Sequence, residues 1–336
     1  MTAYPRMRKS RRVIDCEMED NPYALPVVKL LSVVSGTFNE AGNVPEFVAR
    51  VVAAVEGIPD CDYELLIIDN ASTDGTPEIL RSLAAKNSRL KVILNARNFG
   101  HVRSPYHALL QARGDCVVCL ASDLQDPPET IPRLVEKWRD GFKAVVCVKE
   151  GGRDATGFSV IRKFYYRLVH RLSDTEMIDD FTGFGLYDKS VVDYCRQAQD
   201  PYPYFRGMIS EIGFPVARVP FKKAARQRGI TTNNFYTLYD LAMLGITSHS
   251  KVPLRLATML GFAMSFLSLF VAAGYFVYKL MFWNDFSAGI APVVIGLFLF
   301  SSVQLFFIGI LGEYIGAIHT QVLRRPLVVE KERINF

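Results

Sequence analysis

The chain has 336 residues, 50% hydrophobic and 22% charged, with a formal net charge of +5. That length accommodates two domains. The modest positive charge suits an anionic membrane face or anionic ligands better than DNA, so nucleic acid is excluded as an expected partner.

Residues 1–26 read as a flexible lead, with Arg6, Arg8, Lys9, Arg11 and Arg12 followed by Asp15, Glu17, Glu19 and Asp20. The basic cluster fits either contact with anionic lipid or a solvated tail. No apolar signal-peptide core follows the N-terminus, so the first ~250 residues are expected in the cytosol.

From Leu30 the pattern alternates between strand and helix. Leu30–Val34, Glu64–Asp69, Lys91–Leu94, Cys116–Leu120 and Ala144–Val148 are apolar runs of strand length. Asn43–Val55 and Ser104–Ala112 carry helical patterns. Thr76-Pro77 reads as an N-cap followed by Pro at the first helical position. Continuous apolar strands alternating with helices predict a mostly parallel sheet covered on both faces, within an α/β domain spanning 27–232.

Polar residues gather where these strands end. The first strand runs into Ser35-Gly36-Thr37-Phe38-Asn39-Glu40. It lacks the G-x-G-x-x-G of a dinucleotide fold, which argues against an oxidoreductase. The second ends in Asp69-Asn70-Ala71-Ser72-Thr73-Asp74-Gly75. An Asp at a strand tip can accept from a ribose or a base edge, and these residue types also build turns; both can hold together. The fourth ends in Leu120-Ala121-Ser122-Asp123-Leu124-Gln125-Asp126-Pro127-Pro128-Glu129. The Pro pair stops the strand, at the carboxyl edge where ligands sit in open α/β sheets. Asp123 is placed to hold a divalent cation, with Gln125 and Asp126 near enough to assist. Mg²⁺ is usually bound through one or two carboxylates, with substrate phosphates completing its shell. The other reading is a capped turn whose acids only stop the next helix. Cys116 and Cys119 form a C-x-x-C, but positions three apart in a strand face opposite sides. Buried free thiols are expected there.

The order F-N-E, I-D-N-A-S-T-D-G-T, N-F-G-H and D-L-Q-D-P-P-E resembles the family 2 glycosyltransferases with a GT-A (Rossmann-like) fold. Two late apolar stretches narrow the resemblance to the polyprenyl-phosphate glycosyltransferases, across about residues 29–326. The resemblance implies a D-x-D metal site for Mg²⁺ or Mn²⁺. Asp123 matches its second Asp, Gln125 matches the Gln that follows, and Ala121 replaces the first Asp. It also implies nucleotide contacts at Thr37, Asn39, Glu40, Asp69, Ser122, Asp123, Arg153 and Thr231, and a homo-oligomer, a tetramer by family resemblance. Asp180–Asp188 resembles the acceptor-side segment, with Gly183 and Gly185 in place of its Asp and Arg. Tyr204-Phe205-Arg206-Gly207 and Arg226-x-x-Gly229-x-Thr231 resemble the family's R-G and R-x-x-G-x-S elements, and Arg forks suit phosphates. Asp123, Arg206 and Arg226 are the expected catalytic residues.

Further along, Arg153, Arg162, Lys163, Arg167 and Arg171 are interleaved with Phe164, Tyr165 and Tyr166. That pattern fits a membrane surface or lipid phosphate, or a solvated face. Phe235–Ile246, within 233–252, reads as an amphipathic interfacial helix. The apolar stretches at about 254–282 and 290–318, within 253–320, each exceed the ~20 residues needed to cross a bilayer. Residues 283–289 between them contain no Lys or Arg. Lys251, Arg255, Arg324, Arg325, Lys331 and Arg333 flank the pair, the last four in a tail at 321–336. The positive-inside rule then places both termini and the catalytic domain in the cytosol at the inner membrane, as a multi-pass protein. The expected activity is transfer of a sugar from a nucleotide-sugar donor to a polyprenyl phosphate, probed against two rivals. One rival extends a glycan, although the Q-x-x-R-W motif of processive members is absent; the other binds without turnover.

Overall fold

The structure, a computed structural model, describes residues 29–150, 178, 181–222, 243–245, 247, 251–282 and 290–336. The expectations placed on Arg153, Asp180, Arg226, Thr231, the lead at 1–26 and most of 233–252 lie outside these residues.

Eight strands form one sheet: β1 (Leu30–Thr37), β2 (Asp62–Asp69), β3 (Leu90–Asn95), β4 (Cys116–Cys119), β5 (Ala144–Lys149), β6 (Phe181–Asp188), β7 (Val216–Phe221) and β8 (Glu330–Ile334). Their order is β7-β5-β6-β4-β1-β2-β3-β8. Helices α1 (Val44–Glu56), α2 (Thr76–Lys86), α3 (Gly100–Gln111), α4 (Ile131–Arg139), α5 (Lys189–Ala198) and α6 (Phe205–Glu211) pack around it. Alternation sorts the strands' apolar residues to two faces. Leu31, Val33, Leu65 and Ile67 pack with Phe47, Val51 and Trp138 on one side. Val34, Leu66, Ile68 and Ile93 pack with Tyr106, Leu109 and Met208 on the other. Cys116 lies in the first cluster and Cys119 against the second, so the two thiols do face apart, and both are free.

The sheet is mostly parallel, as expected, with two strands that run against the rest. The β1, β2, β3 and β4 block is parallel, and β5 pairs in parallel with β7. β6, however, runs antiparallel between β4 and β5, and β8 runs antiparallel to β3. Three strands escaped the apolar-run criterion for identifiable reasons. β6 contains Gly183 and Gly185; a Cβ at Gly185 would lie 2.4 Å from the Val145 carbonyl oxygen, so only glycine fits there. β7 is an edge strand and tolerates Pro220. β8 is the other edge and reads Glu-Lys-Glu-Arg-Ile, the charged composition that protects edges from aggregation. The segment read as a tail thus adds the last strand of the sheet. Arg81 grips Glu332 at 2.8 Å, and the Asn335 amide donates to the carbonyls of Ala84 (2.8 Å) and Leu90 (2.9 Å). Helix α2 begins one residue earlier than the N-cap reading, with Gly75 as cap and Thr76 already helical.

Two further helices, α7 (Val252–Met281, 30 residues) and α8 (Ile290–Leu323, 34 residues), are long and apolar enough to cross a membrane. At 1.5 Å per residue they extend about 45 and about 51 Å, beyond the ~30 Å of a hydrocarbon core. The surplus length of α8 carries its foot to the catalytic domain, where the Gln321 amide donates to Asp200 at 2.8 Å.

At the amino edge of the sheet Glu64 is buried, 3% exposed. It accepts from Ser32 Oγ (2.5 Å), Lys91 Nζ (2.5 Å) and the Arg113 N–H (2.7 Å). Burial raises the pKa of this carboxyl, but the Lys91, Ser32 and Arg113 interactions outweigh it and hold it below the ordinary value. A depressed carboxylate stabilises the fold above its unfolded pKa of about 4.3. That stability is lost as pH falls through the folded value. Glu64→Gln is expected to cost about 1–3 kcal/mol at neutral pH and to lose less on acidification than the wild type. Urea unfolding across pH 7 to 3 checks this; parallel pH profiles for the two proteins would refute it.

Candidate active site

Strand register brings the polar strand ends together. Thr37 pairs with Asp69 across β1 and β2, and Val34 with Cys119 across β1 and β4. The loops after β1, β2 and β4 therefore leave from one carboxyl edge. The chain steps from β1 to β2 and β3 on one side, then returns to β4 on the other. The gap between β1 and β4 is the topological switch point, where open α/β sheets take their ligands. The Ser122 hydroxyl spans it, donating to the Gly36 carbonyl at 3.0 Å. Gly36 must be glycine, because a Cβ would come within 2.8 Å of Pro105 Cγ where α3 crosses β1.

One half of the edge is a polar zipper between two loops. Asp69, 1% exposed, accepts from the Ser72 hydroxyl (2.5 Å) and the Ser72 N–H (3.0 Å). Ser72 Oγ in turn accepts the Asn39 N–H (2.8 Å), and Asn39 Oδ1 accepts the Thr73 N–H (2.8 Å). Asn39 and Ala71 hold left-handed backbones at φ 55° and 59°, a conformation Asn adopts readily and Ala does not. The Glu40 N–H donates to Thr76 Oγ1 (3.1 Å) and the Ala41 N–H to Asp74 Oδ2 (3.1 Å). Burial raises the Asp69 pKa and the Ser72 bonds only partly offset it. The structure thus turns Asp69 inward as the organiser of the loop that Asn39 and Glu40 share, while Thr37 is buried at the end of β1.

The other half is the loop after β4. Asp123 is half-buried, with Oδ1 accepting the Gln125 N–H at 3.2 Å. Leu124 between them turns left-handed at φ 60°. Asp126, expected to assist at the metal, is 7% exposed and accepts the Ala121 N–H at 3.2 Å. Its carboxylate serves the loop's own backbone. Glu129 clamps the loop to α1 through two bonds from Arg50, at 2.8 and 2.9 Å. Among the described residues no three Asp, Glu, His or Cys side chains converge on a metal position. Asp123 with the Gln125 amide makes a hard-oxygen donor pair, which fits Mg²⁺ or Mn²⁺ provided substrate phosphates complete the shell.

Arg206, near the start of α6, donates to the Phe181 carbonyl at 3.3 Å and lies 5.4 Å from the Tyr204 ring centre. Phe181 opens β6, which runs antiparallel to β4, so Arg206 stands at the same edge as Asp123. His101 joins them there. Its pKa is lowered first by desolvation and then by the nearby Arg206 charge, so it is neutral at pH 7. Here Asn70 donates to Asn98 Oδ1 (2.9 Å) and the Gly100 carbonyl (3.1 Å), accepts from the Phe99 N–H (2.8 Å), and so ties the start of α3 to the tip of β2. Three Asn at two strand ends, Asn70 after β2 and Asn95 and Asn98 at and after β3, are linked by their side-chain amides.

With this edge in place, the comparisons with known proteins become informative. Residues 32–195 match the family model described as Glycosyl transferase family 2. The bactoprenol glucosyl transferase of Shigella phage SfII is 31% identical over 90% of this chain and 97% of its own length.

The chain belongs to glycosyltransferase family 2.

An uncharacterized glycosyltransferase of Bacillus subtilis, YkcC, is 32% identical over 89% of this chain and 92% of its own. Glucosyl-3-phosphoglycerate synthase from Mycobacterium tuberculosis, solved with Mn²⁺, UDP-glucose and phosphoglyceric acid, aligns with a TM-score of 0.48. It is 20% identical and covers 65% of this chain and 78% of its own. As a family 2 member the protein is an enzyme, a hexosyltransferase whose mixed sheet has the GT-A arrangement.

The zipper makes a testable demand. Ser72→Ala removes a bond to a buried carboxylate and the anchor of the Asn39 backbone. Nucleoside-diphosphate affinity is expected to fall about tenfold, the ~1.4 kcal/mol scale of one lost polar contact. Isothermal titration with UDP and GDP measures it, and an unchanged Kd for both would separate the zipper from ligand binding.

Proposed function

We propose that the protein transfers a hexose from a nucleoside-diphosphate sugar to undecaprenyl phosphate at the cytosolic face of the inner membrane, for modification of a cell-envelope glycan. The observation that carries this reading is the continuity of α8 with β8. A helix fit to span a bilayer runs through a short strap into β8, which starts beside Asn95 at the same carboxyl edge of the sheet that bears the family's polar loops. That tether supports an acceptor held at headgroup depth, and the phage relative's name supports a polyprenyl phosphate as that acceptor.

The chemistry fits the residues. A phosphate monoester has a second pKa near ~6 and is mostly dianionic at pH 7, so it attacks without a strong base. Neutral His101 is consistent with that. The demanding task is to stabilise the departing nucleoside diphosphate. Asp123 and Gln125 hold Mg²⁺ or Mn²⁺ in this reading, and the bound ion supplies charge neutralisation at the diphosphate. Arg206 and Arg226 offer planar forks to phosphate oxygens. Asn39, Glu40, Asp69, Thr37, Ser122, Arg153 and Thr231 form the nucleotide side, Asp69 through the loop it organises. Direct attack on the anomeric carbon inverts its configuration. A homo-oligomer, a tetramer, belongs to the same reading, since α7 and α8 expose apolar side chains along their described lengths.

Purified protein offered a panel of nucleotide sugars with undecaprenyl phosphate is expected to form one glycolipid. Asp123→Ala should lower kcat by at least about 10² with the fold intact, on the scale of losing one strong transition-state stabiliser. Wild-type kcat in that variant at saturating Mg²⁺ and Mn²⁺ would remove Asp123 from the metal site.

The topology has its own test. An even number of spans returns β8 to the side that holds β1, which supports both ends on one face. In a Cys-free variant, a probe at Ser287 is expected to react with an impermeant maleimide in intact cells. One at the exposed Lys331 is expected to react only after lysis. The reverse pattern overturns the cytosolic placement.

A further inference from the structure

Beside the carboxyl end of β3, at the flank of the polar edge, four arginines collect where α8 meets the catalytic domain. Arg97 and Arg103 stack on the Phe99 ring, with guanidinium carbons 4.1 and 5.6 Å from its centre. Arg103 Nη2 donates to the Pro326 carbonyl at 2.5 Å, which pins the strap after α8 to α3. Its Nε is buried without a partner among the described residues. Arg324 and Arg325 precede that proline and are exposed. Among the described residues none of the four forms an ion pair. Burial lowers the Arg103 pKa, and the charges of Arg97 and Arg325 lower it further, so these cations stand close enough to repel. Concentrated positive charge without counter-charge calls for an anion.

Beside the cluster opens a cavity of about 1010 Å³, walled by α3, α5, α6 and the foot of α8. Tyr314, Ile318 and Val322 line it from α8, four residues apart and so on one helical face. Arg324, Arg325 and Pro326 line its end. The other cation in the wall, Arg196, is engaged by the carbonyls of Leu110 and Ala112 and by Asp193. Asp200 is engaged by Gln321 and the Tyr202 N–H. Glu211 adds one carboxylate from α6, and the rest of the wall is the basic end at Arg324 and Arg325 and the apolar face of α8.

We infer that this cavity is a binding site for an anionic phospholipid. Its phosphate sits on Arg325 and Arg324, behind which Arg103 holds the strap at Pro326, and an acyl chain lies along Tyr314, Ile318 and Val322. Two features match this occupant: arginine forks suit phosphate, and anionic lipids are drawn to basic pockets beside spans on the cytosolic side. The inference rests on the membrane placement of α8 and not on the identity of the transferred sugar. Arg103 also gives the site a route to the catalytic edge, since the first turn of its helix α3 is the one held by Asn70.

The test is native mass spectrometry of the full chain in detergent, titrated with phosphatidylglycerol or phosphatidylcholine. One phosphatidylglycerol per chain is expected, retained at least about tenfold more tightly than phosphatidylcholine. Arg325→Gln alone should weaken it, and Arg324→Gln/Arg325→Gln should abolish the preference; both lie on the surface and leave the core untouched. Arg333→Gln, on β8, should keep it. Equal retention of the two lipids, or an undiminished preference in the double variant, overturns the site. Displacement by millimolar inorganic phosphate would assign the arginines to a soluble anion. Displacement by one equivalent of undecaprenyl phosphate would assign the cavity to the acceptor. Either result overturns the phospholipid. Resistance of the double variant to carbonate extraction reports separately on the membrane reading.

Discussion

Strand β1 lies in parallel between β2 and β4, and every loop of the active edge takes its place from that pairing. Parallel register sends the ends of the three strands to the same side. The crossover from β3 back to β4 opens the gap that the Ser122 hydroxyl spans. Antiparallel β6 extends past the last pair of β4 and brings Phe181, and with it Arg206, to the same edge. The edge is thus assembled from five separate stretches of chain that have no local reason to meet. A one-residue slip of β1 would exchange the residues it presents to its two buried faces and separate Thr37 from Asp69, so the core and the site are specified by one register.

The polar groups at this edge divide between holding loops and meeting ligands. Asp69, Asp74 and Asp126 are turned toward backbone and hydroxyl donors of their own loops. Asp123 and Arg206 stand nearer the surface. A buried acid left unpaired costs free energy, so inward-facing carboxylates need nearby N–H and O–H donors. The Ser, Thr and Asn residues around them supply those donors. This arrangement explains why the loop after β2 reads equally well as turn chemistry and as a ligand site. The turn positions Asn39 and Glu40, and those are the residues that face outward from it.

The fold also joins the second long apolar helix to the candidate active edge. The second long helix does not end free: it passes through the Arg103 to Pro326 contact and becomes β8, the partner of β3. β3 leads into the Asn95 to Gly100 turn and then α3. The same helix therefore carries His101 at one end and Leu110, a cavity wall, near the other. Events at the foot of α8 and at the active edge share a single rigid element.

What the sequence determined by itself was whatever local pattern encodes. Five apolar strands, the intervening helices, the two spans and the D-L-Q-D-P-P-E loop were legible because strand alternation, helix period and family motifs are properties of contiguous residues. Free thiols at Cys116 and Cys119 followed from alternation alone. Only the tertiary structure decided the rest. β6, β7 and β8 lack apolar runs because a glycine-lined centre, a proline-tolerant edge and a charged edge obey their neighbours and not their own propensity. Asp126 accepts the Ala121 N–H five residues earlier and closes a turn, which spacing alone does not reveal. The arginine cluster joins residues more than 200 positions apart, Arg103 and Arg325, and no local signal reports so distant a meeting. It exists because the strap after α8 is pinned to α3 at Pro326 before it enters the sheet as β8 beside β3.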